Sequence, residues 1–429
     1  MRQLLAVFSF WLTALAIPAA AQTAEPDAVP SLVQKRAAEA LSVLQGNVPA
    51  QEVFDPTFLQ DVSEQQLAEL GERLETEFGQ PVAAEITGPA SEYSGGLTVR
   101  FERGVGTGHI ALSPSDPHKI TGLQFTSFHP LNDSIEKIQT ELEALPGEVA
   151  VLFTPLGEAG TPVLSLNPDS QMAIGSTFKL YVLSALARSI ENGQRGWSDV
   201  IIVDRKSFPS GQLQAWPDGT PMTLQTLATM MITVSDNTAT DMLFHELGRS
   251  TIEAEMETIG HSDPARNKPF LSTLELFALK GSEGNLRKYI AADEAARRRI
   301  LDDFQDDVGG DPSRVEPPRF VRPTAIDTAE WFASAADLKQ LAVRLSQIED
   351  PTARMILSVN PSLPAELTQR WSYTGYKGGS EPGVLNLTWL LRDKAGQWHV
   401  LTMGWNDPDQ PLENTRLELL AQRLLRLAS

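Results

Sequence analysis

Two side chains near the middle of the sequence have the types and the spacing of a catalytic pair. Ser176 and Lys179 stand three residues apart at the start of an apolar stretch, 173–187, that predicts a buried helix. Residues three apart on a helix share a face, so the amine of Lys179 is expected to reach the hydroxyl of Ser176. A base activates a serine, and free amides at a helix start stabilise the oxyanion formed on attack. The pair therefore predicts acyl transfer through Ser176.

The pattern Ser-x-x-Lys is short, and the chain holds a second copy at residues 134–137. In that copy, Asp133 followed by Glu136 is typical of a capping box at the start of a surface helix. We interpret the second copy as structural. Ser176 and its neighbours could likewise be an ordinary helix start, so the catalytic interpretation depends on other elements of the chain.

A second element, Ser235-Asp-Asn237, separates two apolar stretches. The structural interpretation is a helix end followed by a new N-cap. The functional interpretation makes Ser235 a proton relay and Asn237 an amide contact to a bound acyl-amino substrate. Another Ser-x-Asn occurs at 358–360, but it precedes two prolines in a loop and has no buried helix before it.

The third element is Lys377-Gly-Gly379-Ser380, which precedes a predicted strand. Glycines let a substrate approach the backbone closely, and Lys377 would bring positive charge beside an anionic substrate group. The structural alternative is a hairpin turn, for which Lys394-Ala-Gly396 is an example between two predicted strands. Lys377 differs because its position fits an inner sheet strand that faces the Ser176 helix.

The N-terminal residues have the features of an exported protein. Arg2, an apolar run at 4–17 and the small residues up to Ala21 have the layout of a secretory signal cleaved after residue 21. The apolar run is too short for a membrane span, and no later stretch is long enough. The chain has no cysteine, which excludes disulfides, thiol catalysis and a lipid-modified cysteine. We therefore expect a periplasmic or secreted protein without a membrane anchor.

Charge and histidine spacing exclude several functions. With 35 basic and 55 acidic residues, the net charge of −20 should repel nucleic acid. The six histidines lack the spacing of a metal site. We expect no metal and no cofactor, and a small molecule as the substrate.

The length of 429 residues predicts two domains after the signal peptide. Residues 22–30 are a polar leader, and residues 31–131 predict a small α+β domain of two helices, 32–44 and 64–78, against four strands. This pattern is similar to ketosteroid-isomerase-like cones. It offers no nucleophile and base pair, so we expect it to act as a scaffold or lid. Residues 132–429 form the second domain, which ends in an amphipathic helix expected to pair with the helix that follows Ser134.

The three chemical elements, taken in order, resemble the three motifs of serine β-lactamases and penicillin-binding proteins. The resemblance covers about 133–429, and the segments 234–239 and 325–338 are similar to class A β-lactamases. With the N-terminal cone, the chain resembles two-domain β-lactamase-like serine hydrolases, including the esterase-like member of clavulanic acid gene clusters. The resemblance implies an α+β fold: an antiparallel five-stranded sheet flanked by helices, with a helical subdomain.

The resemblance also implies the roles of individual residues. The catalytic side chains would be Ser176, Lys179 and Ser235. The residues that bind the substrate would be Asn237, Lys377, Gly379 and Ser380. Lys179 would act as the base, and the backbone amides of Ser176 and Ser380 would form an oxyanion hole.

The sequence departs from the class A pattern where deacylation and substrate choice are decided. No Glu-x-Glu-Leu-Asn motif, which carries the deacylation base in class A enzymes, follows Ser235. Glu275 lies three residues after Ser272, and a capping box accounts for a glutamate at that position. A role of Glu275 as the deacylation base stays open. Gly378 stands where the family has a hydroxyl residue, and Ser380 would supply a hydroxyl instead. Extra length forms a charged helix at 286–304 and a proline-rich loop at 309–323, expected as a rim or lid.

These features predict hydrolysis of β-lactams through an acyl-enzyme on Ser176, with slow deacylation because no base for the water is apparent. Three alternatives share the same motifs: an esterase, a D-Ala-D-Ala peptidase, and a receptor that binds penicillin or peptidoglycan without turnover.

Overall fold

The computed structural model describes residues 31–157, 160–317 and 321–428. The predicted signal peptide and leader lie outside the described residues. The described residues divide into two compact units: residues 31–100 together with 108–124, and residues 101–107 together with the described residues from 125 onward. No helix in the described part of the chain is long and apolar enough to cross a membrane.

The smaller unit begins with two long helices separated by two short ones. The helices are α1 (Leu32–Leu44), α2 (Ala50–Val53), α3 (Pro56–Asp61) and α4 (Glu64–Phe78). Ser31 caps the first helix, and Ser63 forms a capping box with Gln66 at the start of the last. The bounds predicted for α1 and α4 are confirmed, because each helix starts at a serine cap that the sequence displays.

Four strands follow these helices and form one sheet in chain order. They are β1 (Pro81–Ala90), β2 (Ser94–Phe101), β3 (Gly104–Leu112) and β4 (Ile120–Pro130). In β2, every second residue up to Phe101 is buried, which is the alternation of a sheet with one covered face.

The larger unit is organised around a five-stranded antiparallel sheet. Its strands, with two short two-stranded ribbons, are β5 (Glu148–Pro155), β6 (Leu164–Leu166), β7 (Met172–Ala173), β8 (Val200–Ile202), β9 (Pro221–Thr223), β10 (Phe332–Ala333), β11 (Tyr373–Glu381), β12 (Val384–Arg392) and β13 (Trp398–Asn406). The order across the sheet is β11-β12-β13-β5-β6, so β11 is an edge strand. The predicted five-stranded sheet is confirmed.

The helices of this unit flank the sheet and build a helical region between β7 and β10. They are α5 (Ile135–Glu143), α6 (Lys179–Glu191), α7 (Leu224–Thr233), α8 (Asn237–Leu247), α9 (Arg249–Thr258), α10 (Thr273–Gly281), α11 (Glu283–Ala291), α12 (Glu294–Val308), α13 (Ala335–Gln347), α14 (Thr352–Ser358), α15 (Ala365–Thr368) and α16 (Asn414–Leu427).

Each face of the sheet packs against helices. On one face, α5 and α16 contribute Leu142 and Leu424 to a core that includes Trp389 and Met403 of the sheet. On the other face, α6 and α13 pack in a second core, to which the sheet contributes Leu390 and Val400. The predicted pairing of the last helix with the helix after Ser134 is confirmed. The result is a helix, sheet and helix layering in which α6 is buried at the centre.

Two predictions of helix starts need correction. Ser134, not Asp133, caps α5: its hydroxyl accepts a hydrogen bond from the amide of Lys137 at 3.3 Å. Asp133 is instead paired with Arg423 at 2.8 Å, and its carboxylate is therefore not available to cap the helix. The interpretation of the second Ser-x-x-Lys copy as a structural cap is nevertheless confirmed.

The prediction of a single charged helix at 286–304 is also wrong. It is two helices, α11 and α12, because the carboxylate of Asp293 accepts a hydrogen bond from the amide of Ala296 at 2.8 Å and starts a new helix.

Candidate active site

Ser176 lies on a tight turn that leads into the central helix. The turn, Gly175–Phe178, is a 3-10 helix, and α6 begins at Lys179. The prediction that one α-helical turn carries both residues is therefore wrong in detail. Gly175 has a φ of +46°, and a Cβ there would lie 3.1 Å from the amide nitrogen of Ser380. Glycine thus allows the turn and brings Ser176 beside β11.

The amine of Lys179 is buried and makes three hydrogen bonds, none of them to Ser176 among the described residues. It donates to the carbonyl of Ser235 at 2.6 Å, to the hydroxyl of Ser235 at 3.0 Å and to the side-chain oxygen of Asn237 at 2.7 Å. The predicted direct contact with Ser176 is wrong in this structure, because these three acceptors hold the amine. Burial, followed by the charge of Lys377, holds the pKa of Lys179 well below its usual value.

Ser235 joins two lysines. Its hydroxyl lies 3.0 Å from the amine of Lys179 and 3.1 Å from the amine of Lys377. Its backbone has a φ of +55°, which is uncommon for a residue other than glycine. The neighbouring Asp236 holds this conformation, since its carboxylate accepts hydrogen bonds from the amides of Gln212 and Ala239 at 2.7 and 2.9 Å. The segment is both a helix cap, through Asp236, and a polar bridge, through Ser235.

Lys377 lies on β11 with its side chain buried. Burial lowers the pKa of its amine to about 7. The prediction that this lysine stands on an inner strand is wrong, because β11 is at the edge of the sheet. An edge strand has backbone groups free on one side, and these can pair with an extended substrate.

Gly379 allows β11 to approach the turn that carries Ser176. A Cβ at this position would lie 2.2 Å from the carbonyl oxygen of Ile174 and 2.4 Å from the amide nitrogen of Ser176. The amide of Ser176 is in the first turn of a helix, where amides have no partner within the helix. Ser176 and Ser380 line the same cavity. This geometry brings together the two residues whose amides would form the oxyanion hole.

Gly378 has no room for the hydroxyl residue found in the family. A Cβ there would lie 2.1 Å from the phenol oxygen of Tyr376. The ring of Tyr376 lies against Trp389 with centroids 4.8 Å apart, so the ring is packed in place. Ser380, two residues further along β11, lines the cavity.

A cavity of about 320 Å³ opens beside Ser176. It is lined by Gly175, Ser176, Phe178, Pro209, Ser210, Asn237, Thr273, Leu276, Phe277, Glu330, Trp331, Ser380, Glu381 and Pro382. Within the described residues, segment 286–317, which was expected to form a rim or lid, contributes nothing to this lining. The described residues also contain no cluster of His, Asp or Glu arranged to hold a metal.

Glu275 is buried and fully engaged outside this cavity. Its carboxylate accepts a hydrogen bond from the amide of Ser272 at 2.8 Å and completes the predicted capping box, which is confirmed. It also forms a two-point ion pair with Arg249 at 2.7 and 3.1 Å, and it accepts a hydrogen bond from Gln305. The geometry therefore supports a structural role, and gives Glu275 no position beside a water at Ser176.

Sequence reasoning missed an ionic cluster in the wall of the cavity. The amine of Lys280, on α10, lies 2.5 Å from a carboxylate oxygen of Glu330 and 2.5 Å from one of Glu381. Burial lowers the pKa of Lys280, but the two carboxylates outweigh burial and raise it. Burial and the charge of Glu330 hold the pKa of Glu381 well above its usual range. One sequence signal for Glu381 was available. Side chains alternate along a strand, and Glu381 follows Gly379 by two residues, so both lie on the same face of β11.

Residues 133–298 match the family model described as the beta-lactamase enzyme family. The matched segment is therefore similar to that family. It contains Ser176, Lys179 and Ser235, and it ends before Lys377. This likeness supports a β-lactamase-like serine hydrolase at a coarse level. A search of curated protein sequences gives no match.

Solved structures with similar chains include further β-lactamases. A β-lactamase from Sphaerobacter thermophilus is 20% identical, with 69% of this chain and 97% of that chain covered and a TM-score of 0.47. A protein named PBP-A is 18% identical, with 68% and 94% covered and a TM-score of 0.47. A β-lactamase from Francisella tularensis is 14% identical, with 68% and 97% covered and a TM-score of 0.46.

Proposed function

We propose that this protein is an exported serine hydrolase that forms an acyl-enzyme on Ser176 with a β-lactam. The observation that carries the proposal is the hydroxyl of Ser235 held between two buried lysine amines, beside the cavity that Ser176 lines. Export follows from the signal-like residues 1–21, and the periplasm or exterior is the proposed location. Residues 31–131 and 132–429 are proposed as the two domains.

Acylation begins with attack of the Ser176 hydroxyl on the carbonyl carbon of the substrate. The lowered pKa of Lys179 makes its neutral amine available to take the serine proton. Ser235 links Lys179 to Lys377 and can pass a proton to the leaving nitrogen or oxygen, while Asn237 contacts the acyl-amino group. The amides of Ser176 and Ser380 stabilise the oxyanion.

Lys377 is proposed to face an anionic group of the substrate. Its pKa of about 7 means that the amine of the free protein is only partly charged at neutral pH. A carboxylate bound beside it would favour the charged form and raise that pKa. Binding of an anionic substrate is therefore expected to take up a proton near neutral pH.

Deacylation is proposed to be slow, because the carboxylate of Glu275 is held by Arg249 and Ser272. Glu275 therefore does not supply the contribution of a general base, which is commonly about 10²–10⁴-fold in a proton-transfer step. The same observation favours a second candidate, a penicillin or peptidoglycan receptor in which the lasting acyl-enzyme or mere binding is the signal.

One panel of substrates tests the proposal and separates the alternatives. We would assay a chromogenic cephalosporin, a penicillin, a D-Ala-D-Ala peptide and a short-chain aryl ester with wild-type protein and with Ser176→Ala. The proposal expects a burst of cephalosporin opening followed by a slow phase, both absent from Ser176→Ala. Turnover of only the ester would indicate an esterase instead, and turnover of only the peptide would indicate a peptidase. Binding of the β-lactams without opening of their ring would favour the receptor.

A further inference from the structure

We propose that Glu381, held by Lys280 and Glu330, is the catalytic residue that takes a proton from water when the acyl group leaves Ser176. This inference rests on the proposed acyl-enzyme and names the group that releases it. The carboxylate lies in the wall of the cavity that contains the nucleophile.

Strand geometry puts Glu381 next to the reaction centre. Side chains on a strand alternate, so Lys377, Gly379 and Glu381 share one face of β11. Lys377 reaches Ser235 from that face, and a Cβ at Gly379 would point to within 2.4 Å of the amide nitrogen of Ser176. Glu381 follows about 6.6 Å further along the strand, since each residue rises about 3.3 Å. A glutamate side chain is long enough for its carboxylate, starting from this position on the strand, to reach a water beside the acyl group.

The partners of Glu381 hold it without blocking it. Lys280 is buried and bridges the two carboxylates, with nitrogen to oxygen distances of 2.5 Å. Both carboxylates line the cavity, but the side chain of Glu330 is 1% exposed whereas that of Glu381 is 12% exposed, so Glu381 is the more accessible of the two. Lys280 from α10 and Glu330 from the segment before β10 are the titratable groups that face it. Opposite Glu381 on β12 stands Val384, which does not titrate.

Deacylation moves one proton from the attacking water through Glu381 to the oxygen of Ser176. A water oxygen attacks the carbonyl carbon of the Ser176 ester, and one proton of that water passes to a carboxylate oxygen of Glu381. The bond between the carbonyl carbon and the serine oxygen then breaks, and the serine oxygen takes the proton that Glu381 holds. The acid product leaves, Glu381 is a carboxylate again, and Lys179 stays neutral for the next acylation.

This arrangement agrees with slow release at neutral pH. Two carboxylates that face each other in a buried cluster compete for ionisation, and the pKa of Glu381 is raised. At a given pH, a smaller fraction of the protein then carries the active carboxylate than would be the case for an ordinary glutamate. Deacylation is therefore expected to accelerate as the pH rises.

The test follows acylation and deacylation separately in the full-length mature protein. Wild type, Glu381→Gln and Glu275→Gln are acylated with a penicillin, excess drug is removed, and loss of the adduct is followed by intact mass at several pH values. Glu275→Gln is the matched control, because it makes the same change at a buried glutamate outside the cavity. We expect Glu381→Gln to acylate at the wild-type rate, to deacylate about 10²–10⁴-fold more slowly, and to lose the rise with pH.

The outcomes are distinct. Equal deacylation in wild type and Glu381→Gln would overturn the role of Glu381 while leaving the proposed function intact. If no adduct forms on wild type with a penicillin, a cephalosporin or an aryl ester, the proposed function fails and this inference fails with it. If Glu381→Gln does not fold, Glu381→Asp decides: slower deacylation with normal acylation supports the role, and unchanged deacylation overturns it. A folded Glu381→Gln that does not acylate also overturns it, since Glu381 would then serve the first step.

Discussion

The amine of Lys179 lies 3.0 Å from the hydroxyl of Ser235, a residue 56 positions further along the chain. The same hydroxyl lies 3.1 Å from the amine of Lys377. Two amines that share one hydroxyl form a path for a proton between the base and the leaving group. Because both amines are buried, their charged forms are disfavoured, which makes the neutral form of each amine easier to reach at the two ends of this path.

The first prediction concerns the base. Lys179→Met should lower the rate of acylation by about 10²–10⁴-fold, because the Ser176 proton loses its acceptor. Stopped-flow measurement of the cephalosporin burst gives this rate. Lys137→Met is the matched control, since Lys137 belongs to the second Ser-x-x-Lys copy and is exposed. Equal loss in both variants would contradict the assignment of Lys179.

The second prediction concerns the effect of pH on stability through Lys377. The pKa of this amine is about 7 in the folded protein and about 10.5 when unfolded. Between these values the unfolded chain binds one more proton, so this residue makes the free energy of unfolding rise with pH. From pH 7 to 9 the rise should be about 2–3 kcal/mol in wild type relative to Lys377→Met. Urea unfolding at the two pH values measures it, and parallel pH dependence in both proteins would contradict it.

The third prediction concerns Glu275. Glu275→Gln should lower the free energy of unfolding by about 3 kcal/mol, because Arg249 would keep its charge in a largely buried site without a carboxylate partner. The slow phase of turnover should not change. Thermal unfolding and burst kinetics on one preparation report both, with Glu283→Gln as the control at an exposed ion pair. Fast turnover in wild type that collapses in Glu275→Gln would make Glu275 the deacylation base.

The fourth prediction concerns the contact between β11 and the nucleophile turn. Gly379→Ala should reduce acylation strongly, because its Cβ would meet backbone atoms of Ile174 and Ser176. Gly284→Ala is the control, since a Cβ there meets nothing within 4 Å. The rate of adduct formation, compared between the two variants by intact mass, checks the effect. Wild-type acylation by Gly379→Ala would show that the close approach is not needed.

The sequence predicted the elements whose signals are local. Helices α1 and α4 were predictable because each begins at a serine cap and carries an apolar stripe. The capping role of Glu275 was predictable from its spacing to Ser272, but its pairing with Arg249 was not, since the two residues meet only through tertiary packing.

Contacts between distant segments could not be predicted from the sequence. The cluster of Lys280, Glu330 and Glu381 joins three segments, and apart from the alternation that relates Glu381 to Gly379, no spacing in the sequence signals it. The partner of Lys179 was likewise predicted wrongly, because helical spacing indicates Ser176 whereas the folded chain offers the acceptors of Ser235 and Asn237.

The central claim is that Ser176 is the nucleophile, and mass spectrometry of the intact protein tests it most directly. Wild-type protein incubated with a penicillin should gain the mass of one penicillin molecule, because ring opening adds the whole molecule to the serine oxygen. Ser176→Ala should gain none, while Ser134→Ala, from the second Ser-x-x-Lys copy, should gain the same mass as wild type. An adduct of equal mass on Ser176→Ala would contradict the account.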